Sequence, residues 1–457
     1  MSDYPVAIIG GGISGLATAF FLQQSGLRSI VLEKSSRLGG MIRTDMVEGC
    51  QLEAGPDSYI STKPSVTQLA AELNGLESEI IGSNDAHRRV YIVRQGQLIE
   101  MPKGMSMMVP GDLNAAVKSP LFSFETKARF LYEMFSPQRH RSGDISVEEL
   151  VVSHFGKQML EYVTEPLLSG VYGGDSAQLS AESVLPRFLG YERDFGSLIR
   201  GVRREQRAPG NAGSLFLSFR CGMQTLTDAL SQAISGRVEH TRATAVNPAP
   251  GGWQISADGR QLQAAHVVLA IPAYAAAELI NNSIPELASE LSAIPYSSAI
   301  LVTLVYRKTD VVIPEGFGFL VPRRERRTIA ASTFVGTKWP SRIPADRVAL
   351  RAFIVDPEAP RLLETPDREL LQLVRDDFNR ILNISADPLL SRVERWPNSM
   401  PQYVVGHGAR QVRIAETVSQ SPGLHLAGNA YNGVGVPDCV RLAKETANTI
   451  ASLVGSA

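Results

Sequence analysis

The chain opens on a strand, a glycine turn and a helix, and everything after them has to be built around that unit. Val6-Ala7-Ile8-Ile9 runs directly into Gly10-Gly11-Gly12-Ile13-Ser14-Gly15, and Leu16-Ala17-Thr18-Ala19-Phe20-Phe21-Leu22 follows at helical spacing. Gly10 allows the tight turn, Gly12 lets a pyrophosphate approach the backbone, and Gly15 lets the helix lie close on the strand. Phosphate charge then meets a helix N-terminus. Ser29-Ile30-Val31-Leu32 reads as a second buried strand, which delivers Glu33 followed by Lys34, with Glu33 18 residues beyond Gly15. A carboxylate at that distance suits a pair of ribose hydroxyls, so the opening predicts a Rossmann-like, dinucleotide-binding α/β domain.

The next stretch separates a flavin from a nicotinamide. Arg37-Leu38-Gly39-Gly40-Met41-Ile42-Arg43-Thr44 sets a second glycine pair beside two guanidinium groups, which offer planar forks to phosphate oxygens. The plainer alternative is a turn carrying two solvated arginines. Glu53-Ala54-Gly55-Pro56-Asp57-Ser58 follows as another backbone-permissive turn.

At 457 residues the chain exceeds one ordinary core, so two or three domains are expected. A net charge of -1 provides no field to gather nucleic acid. No uninterrupted apolar run reaches the roughly 20 residues that span a bilayer. Cys50, Cys221 and Cys439 are widely spaced, which suggests a reducing compartment and no disulfide framework. The seven histidines are scattered without metal-ligand spacing, so no metal is expected. A first strand beginning at Val6 leaves no room for a targeting peptide, and a cytoplasmic location is expected.

Further along, residues 66–76 read as an amphipathic helix and 90–99 as a hairpin. From Met101 to about Pro186 helical patterns are broken by prolines, which predicts a mostly helical insertion. Its methionines together with Leu121, Phe122 and Phe124 near basic residues suit a membrane interface, with ordinary helix core as the alternative. Glu165-Pro166-Leu167-Leu168-Ser169-Gly170-Val171-Tyr172-Gly173-Gly174-Asp175 gathers three glycines around one aromatic, which permits close approach to something flat. Arg187, Arg193, Arg200, Arg203, Arg204 and Arg207 read best as a solvated helix face, with lipid headgroups or a carboxylated substrate as alternatives. They lead into a loop at 208–213.

From Ser218 the pattern returns to the first domain, with a helix opening near Gly222 and strands at 238–246, 253–256 and 265–270. A strand-rich block at 300–306, 316–321, 328–334 and 348–355 implies an antiparallel sheet. A helix at 363–382 follows. Near the end, 424–427 is a strand, Gly428-Asn429 a turn, and Val434-Gly435-Val436-Pro437 opens a helix to about residue 453, with proline preorganised for its start.

These motifs together resemble the flavin amine oxidase superfamily, and within it the porphyrinogen oxidases, over nearly the whole chain. The resemblance implies FAD as cofactor, held by Gly10, Gly11, Gly12, Ile13, Ser14, Gly15, Glu33, Lys34, Arg37, Gly39, Gly40, Met41, Gly55, Pro56, Asp57 and Ser58. It adds Val246 at the adenine, Trp396, and Gly428, Asn429, Val434, Gly435 and Val436 at the flavin end, where the helix dipole stabilises the reduced ring. Many relatives carry aspartate where Asn429 stands. Ser169, Gly170, Val171 and Tyr172 become substrate-lining candidates. Lys63, beyond Ser58, is proposed to pair with a propionate, with a solvated lysine as the alternative. Phe334 would stack on a macrocycle unless it is core.

The implied fold is α/β and α+β, with a discontinuous FAD domain (1–76, 214–285, 415–457). An antiparallel-sheet substrate domain (77–100, 201–213, 286–414) and a helical, membrane-facing insertion (101–200) complete it. The implied reaction oxidises protoporphyrinogen IX and/or coproporphyrinogen III in haem biosynthesis by successive hydride transfers to flavin N5. Oxygen is the expected acceptor, with a membrane quinone as the alternative. Peripheral contact on the inner face of the cell membrane and a homodimer are compatible with it. No side chain is singled out as catalytic. An amine oxidase would carry a lysine where Leu301 stands; a carotenoid desaturase would lack the Met400-Pro401-Gln402-Tyr403 type of segment. A non-catalytic binding protein on this fold would not need the intact glycine fingerprint.

Overall fold

The computed structural model describes residues 4–206, 213–234 and 236–455, with the side chain of Val171 left out. The loop expected at 208–213 lies almost wholly outside the described residues, as does Arg207. The chain divides into two compact units, Met1–Ser83 with Gly213–Pro295 and Ala409–Ala457, and Asn84–Ala212 with Tyr296–Gly408.

In the first unit, β1 (Tyr4–Ile9) lies parallel between β2 (Ser29–Glu33) and the strand Arg260–Leu269, and Arg237–His240 continues the parallel sheet beyond β2. Leu424–Leu426 also joins in parallel beside Arg260–Leu269. Gly252–Ala257 and Ala243–Ala249 then extend the sheet as an antiparallel meander. The expected strand at 238–246 is therefore two strands that pair in opposite senses. Thr241 and Arg242 between them carry no glycine or proline signal, so the break is invisible in the sequence.

Parallel strands are buried on both faces, and this explains the near-continuous apolar runs of β1 and β2. The helix α1 (Ile13–Gln24) packs with the helices Gln224–Ala233 and Val436–Gly455 on a core that includes Val6, Ile8, Leu16, Phe20, Val31, Leu226 and Val440. Truncating a side chain such as Leu16, which is fully buried, would cost about 2–5 kcal/mol.

The second unit carries a seven-stranded sheet in the order Leu390–Pro401, Tyr296–Arg307, Arg347–Val355, Ala331–Phe334, Gly318–Leu320, Val90–Arg94, Gln97–Glu100. All neighbours run antiparallel except Gly318–Leu320 with Val90–Arg94. The helical stretch expected as an insertion lies within this same unit, because Ile92 and Leu320 of the sheet pack into the helical core.

Local signals set the helix ends. Val147–Phe155 starts on a capping box, where the Ser146 hydroxyl accepts from the Glu149 N–H and the Glu149 carboxylate accepts from the Ser146 N–H. It stops at Gly156, at φ 82°. Leu121 and Phe122 are interior: Phe122 meets Phe130 edge-on at 5.1 Å, and Phe130 meets Phe155 at 6.0 Å. This corrects the expectation that those two residues face a membrane.

Beneath that core His154 is held between two carboxylates, Nδ1 2.9 Å from Glu133 Oε1 and Nε2 3.0 Å from Glu192 Oε1, with all three side chains at most 1% exposed. Glu133 also accepts from the Ser197 hydroxyl at 2.7 Å and the Leu198 N–H at 2.6 Å, which caps the helix Leu198–Gln206. Arg141 grips Glu192 with two bonds of 2.7 Å. The arginines nearby have local partners: Arg193 pairs with Asp194, Arg200 donates to the Ser136 carbonyl, and Arg187 lies over Phe188.

Candidate functional site

The opening glycines divide by the space around them. A Cβ on Gly10, at φ 109°, would stand 2.5 Å from the Ala270 carbonyl oxygen, and one on Gly15 only 1.9 Å from the Gly10 oxygen. These two close the turn and seat the helix. A Cβ on Gly12 would meet nothing nearer than Gly40 Cα at 4.0 Å, and one on Gly428 only the Ile271 oxygen at 4.0 Å. Those two border open space.

Gly12 is the N-cap of α1 and supplies no side-chain cap, and no acid stands in the first turn, which holds Ile13 and the buried Ser14. An anion is the missing partner such a helix end accepts. The Glu33 carboxylate sits beside it, Oε2 accepting from the Gly11 N–H at 2.7 Å and Oε1 from the Ser35 N–H and hydroxyl at 2.8 Å. Lys34 is exposed. The glycine cradle, the uncapped helix and the anchored carboxylate fit a dinucleotide.

The second glycine pair folds over this turn. Gly39 donates to the Gly11 carbonyl at 2.8 Å, and a Cβ on Gly40 would come within 3.2 Å of Gly12 Cα. Arg37 was expected to fork onto a phosphate, and the structure assigns it different work. Its guanidinium donates to the carbonyls of Leu38 at 2.7 Å, Ile42 at 2.9 Å and Gly40. It clasps the turn from within, and burial together with the neighbouring Arg43 holds its pKa below the ordinary value.

Gly55 packs on Met41, where a Cβ would stand 1.9 Å from the Met41 oxygen. After Pro56, Ser58 donates to Asp57 at 2.7 Å, and Ser218 holds the Asp57 carbonyl at 2.9 Å. Val246 lies on the edge strand Ala243–Ala249, with its carbonyl accepting from Ser283 at 2.7 Å. Trp396 belongs to the second unit, opposite Ala299 in the sheet.

At the chain's end, Gly428 and Asn429 follow the strand Leu424–Leu426, and Val434-Gly435-Val436 enters the helix Val436–Gly455. Cys439 in its first turn bonds with Ser14 of α1, and burial pushes its thiol up to about 11. The N-terminal turns of both helices therefore meet beside the glycine cradle. Lys63 arrives here too, but as a partner of this helix: Nζ lies 2.8 and 2.7 Å from the two Asp438 oxygens. Its ammonium is already committed to a carboxylate, which corrects the expectation of a free cation for a propionate. Asp438 went unremarked in the sequence, although an acid directly after Pro437 at a helix start is a legible capping signal.

In the second unit Ser169, Gly170, Val171 and Tyr172 form the last turn of a helix, Glu165–Tyr172. It follows a π-helical turn, Leu160–Thr164, and ends at Gly173 in the left-handed conformation, φ 63°. A Cβ on Gly170 would meet nothing within 4 Å. The Tyr172 carbonyl accepts from Gln402 Nε2 at 2.5 Å and from the Ser297 hydroxyl at 2.9 Å. The Met400-Pro401-Gln402-Tyr403 segment thus fastens the end of that helix. Phe334 is corrected as well: it is fully buried in the sheet's core, 6.0 Å from Phe319, and offers no face to a ligand.

Comparison with known proteins agrees with this geometry. The family profile described as flavin containing amine oxidoreductase matches residues 13–451. The chain belongs to that family. Coproporphyrinogen III oxidase of Bacillus subtilis (strain 168) is 32% identical over 453 residues, covering 95% of each chain. Chloroplastic protoporphyrinogen oxidase of Nicotiana tabacum is 27% identical over 490 residues, covering 99% of this chain and 86% of its own. A crystal structure from Exiguobacterium sp. 255-15, assigned as a protoporphyrinogen oxidase, superposes with a TM-score of 0.89 at 32% identity, covering 99% of this chain and 100% of that one. Membership of that family supports a flavin as its cofactor.

Proposed function

We propose that this chain is an FAD-dependent porphyrinogen oxidase, converting coproporphyrinogen III, protoporphyrinogen IX or both to the porphyrin in haem biosynthesis. The observation that carries the reading is its end-to-end similarity to coproporphyrinogen III oxidases. FAD, as opposed to a mononucleotide, is favoured by Glu33, whose carboxylate is placed for a ribose beside an open pyrophosphate cradle.

Bound FAD supplies the hydride-accepting chemistry, and the protein's part is to bind, orient and exclude water. The uncapped start of α1 would hold the pyrophosphate, and the start of Val436–Gly455 would offer a positive helix end to the flavin. Gln402 and Ser297 hold the last turn of Glu165–Tyr172 in place, and the open surface over Gly170 suits a flat tetrapyrrole. An amine oxidase is disfavoured by Leu301, an apolar, 7% exposed residue where that chemistry would place a lysine.

Peripheral membrane contact is part of the proposal, kept at Phe124 and moved from Leu121 and Phe122 to residues further along the chain. Phe124, Leu131, Tyr132 and Phe135 are 88%, 52%, 78% and 81% exposed. They lie on, and just past, the helix Phe124–Glu133 at a spacing that puts them on one face. Lys118, Lys127 and Arg139 nearby complement anionic headgroups. Among the described residues no helix is long and apolar enough to cross a membrane, so the contact would lie along the surface.

The test is turnover of each porphyrinogen by purified, flavin-loaded protein under air, reading porphyrin fluorescence and peroxide together. Oxidation of both substrates with peroxide formed is expected. No porphyrin from either, by protein that is yellow and folded, would refute the reading.

A further inference from the structure

Lys63 and Asp438 stand 375 positions apart in the chain and meet in a two-pronged ion pair at the start of the helix Val436–Gly455. Asp438 is 6% exposed and sits in the first turn of Val436–Gly455. Its Oδ2 also accepts from the Gly435 N–H at 3.2 Å. Gly433, at φ 111°, has no room for a Cβ, which would lie 2.3 Å from Asp438 Cγ. The carboxylate thus shapes the turn through Gly433 and Gly435, and its neighbour Cys439 bonds to Ser14 beside the cradle.

A carboxylate at this place stabilises the helix it caps but offsets the positive end that the helix would offer a flavin. A helix N-terminus presents roughly half a positive charge, and an unpaired carboxylate would turn that net charge negative. Reduction adds electron density to the flavin, and a negative helix end would oppose it. With the ammonium bonded to both oxygens, the pair is neutral and the helix end stays positive. Lys63 is 47% exposed on its side chain, so water screens part of the effect.

We propose that Lys63 is a tuning residue for the flavin: by neutralising Asp438 it lets one carboxylate order the Gly433–Gly435 turn without lowering the cofactor's reduction potential. This rests on the flavin assignment and not on which substrate is oxidised. Lys63 acts through Asp438 and need touch neither flavin nor substrate.

The experiment compares midpoint potentials, measured by dye equilibration on the flavin-loaded full chain, for the wild type, Lys63→Arg, Lys63→Met and Lys63→Met/Asp438→Asn. Lys63→Met should shift the two-electron equilibrium about tenfold towards oxidised flavin, roughly 30 mV lower. Lys63→Arg and the double variant should stay near the wild type. An unchanged potential in Lys63→Met, or an equal drop in the double variant, overturns the proposal. Should Lys63→Met fail to hold flavin, the double variant decides: wild-type occupancy supports the proposal and loss of flavin there overturns it. Porphyrinogen is absent throughout, so the substrate reading is neither helped nor harmed by the result.

Discussion

Gly15 lies so close to Gly10 that a Cβ on it would stand 1.9 Å from the Gly10 carbonyl oxygen, whereas a Cβ on Gly12 would face open space. Two glycines three residues apart therefore answer to different constraints, one to close packing within the fold and one to the open space beside the turn.

Substituting them should separate the two. Gly12→Val puts methyl groups where the pyrophosphate belongs, so flavin should be lost while the flavin-free protein keeps its stability to within about 1 kcal/mol. Gly15→Ala forces α1 away from the turn and should cost about 1–3 kcal/mol in the flavin-free protein. Flavin absorbance per protein and urea midpoints report both quantities. Full occupancy in Gly12→Val would contradict the cofactor site.

His154 gives a pH-dependent prediction. Burial pushes its pKa down, but the bonds and charges of Glu133 and Glu192 outweigh burial, and the net shift is upward. Both ring nitrogens face carboxylate oxygens, so the imidazolium is the form that satisfies them. A raised folded-state value means the contribution is fully present below the unfolded value of about 6.5 and lost as pH rises through the folded one. Burial pushes Glu192 up, but His154 and Arg141 outweigh it and bring it down to about 2. Its contribution is present above its unfolded value and disappears as pH falls through about 2. His154→Leu leaves two buried carboxylates short of a partner and should cost about 3–5 kcal/mol at pH 6. The deficit should shrink at alkaline pH, where the wild type loses the same proton. A pH-independent deficit in urea titrations would mean that only packing was lost.

The exposed stripe predicts lipid binding through specific residues. Phe124→Ser and Phe135→Ser should each weaken co-sedimentation with anionic vesicles about ten- to a hundredfold, from roughly 1.5–3 kcal/mol of aromatic burial per residue. Flavin content should stay unchanged. Leu121→Ser should instead destabilise the fold, since Leu121 is interior. Equal vesicle binding by the wild type and the two phenylalanine variants would remove the stripe from any membrane role.

What could be read in advance follows from the range of the forces involved. The opening turn, Glu33 and the closing helix are local: backbone freedom, a strand end and a proline-started helix all declare themselves within a few residues. Side-chain direction does not. Phe334 and Leu301 look alike as apolar strand residues, and only the packed sheet shows the first wholly inside its core. The exposed face of Phe124–Glu133 was concealed in the same way, because Leu121 and Phe122 stand only a few residues from Phe124 yet turn inward. The π-helical turn at Leu160–Thr164 has no sequence pattern to announce it, although the stretch around it was expected to be helical. Long-range pairs are the least legible: nothing local links Lys63 to Asp438 or His154 to Glu192.

The most direct measurement is anaerobic mixing of the flavin-loaded protein with coproporphyrinogen III or protoporphyrinogen IX while visible flavin absorbance is followed. The account predicts that either porphyrinogen bleaches the flavin promptly, that primary amines do not, and that admitting oxygen restores the colour as porphyrin fluorescence and peroxide appear. A flavin that keeps its colour with both porphyrinogens, or bleaches with amines instead, would contradict the account.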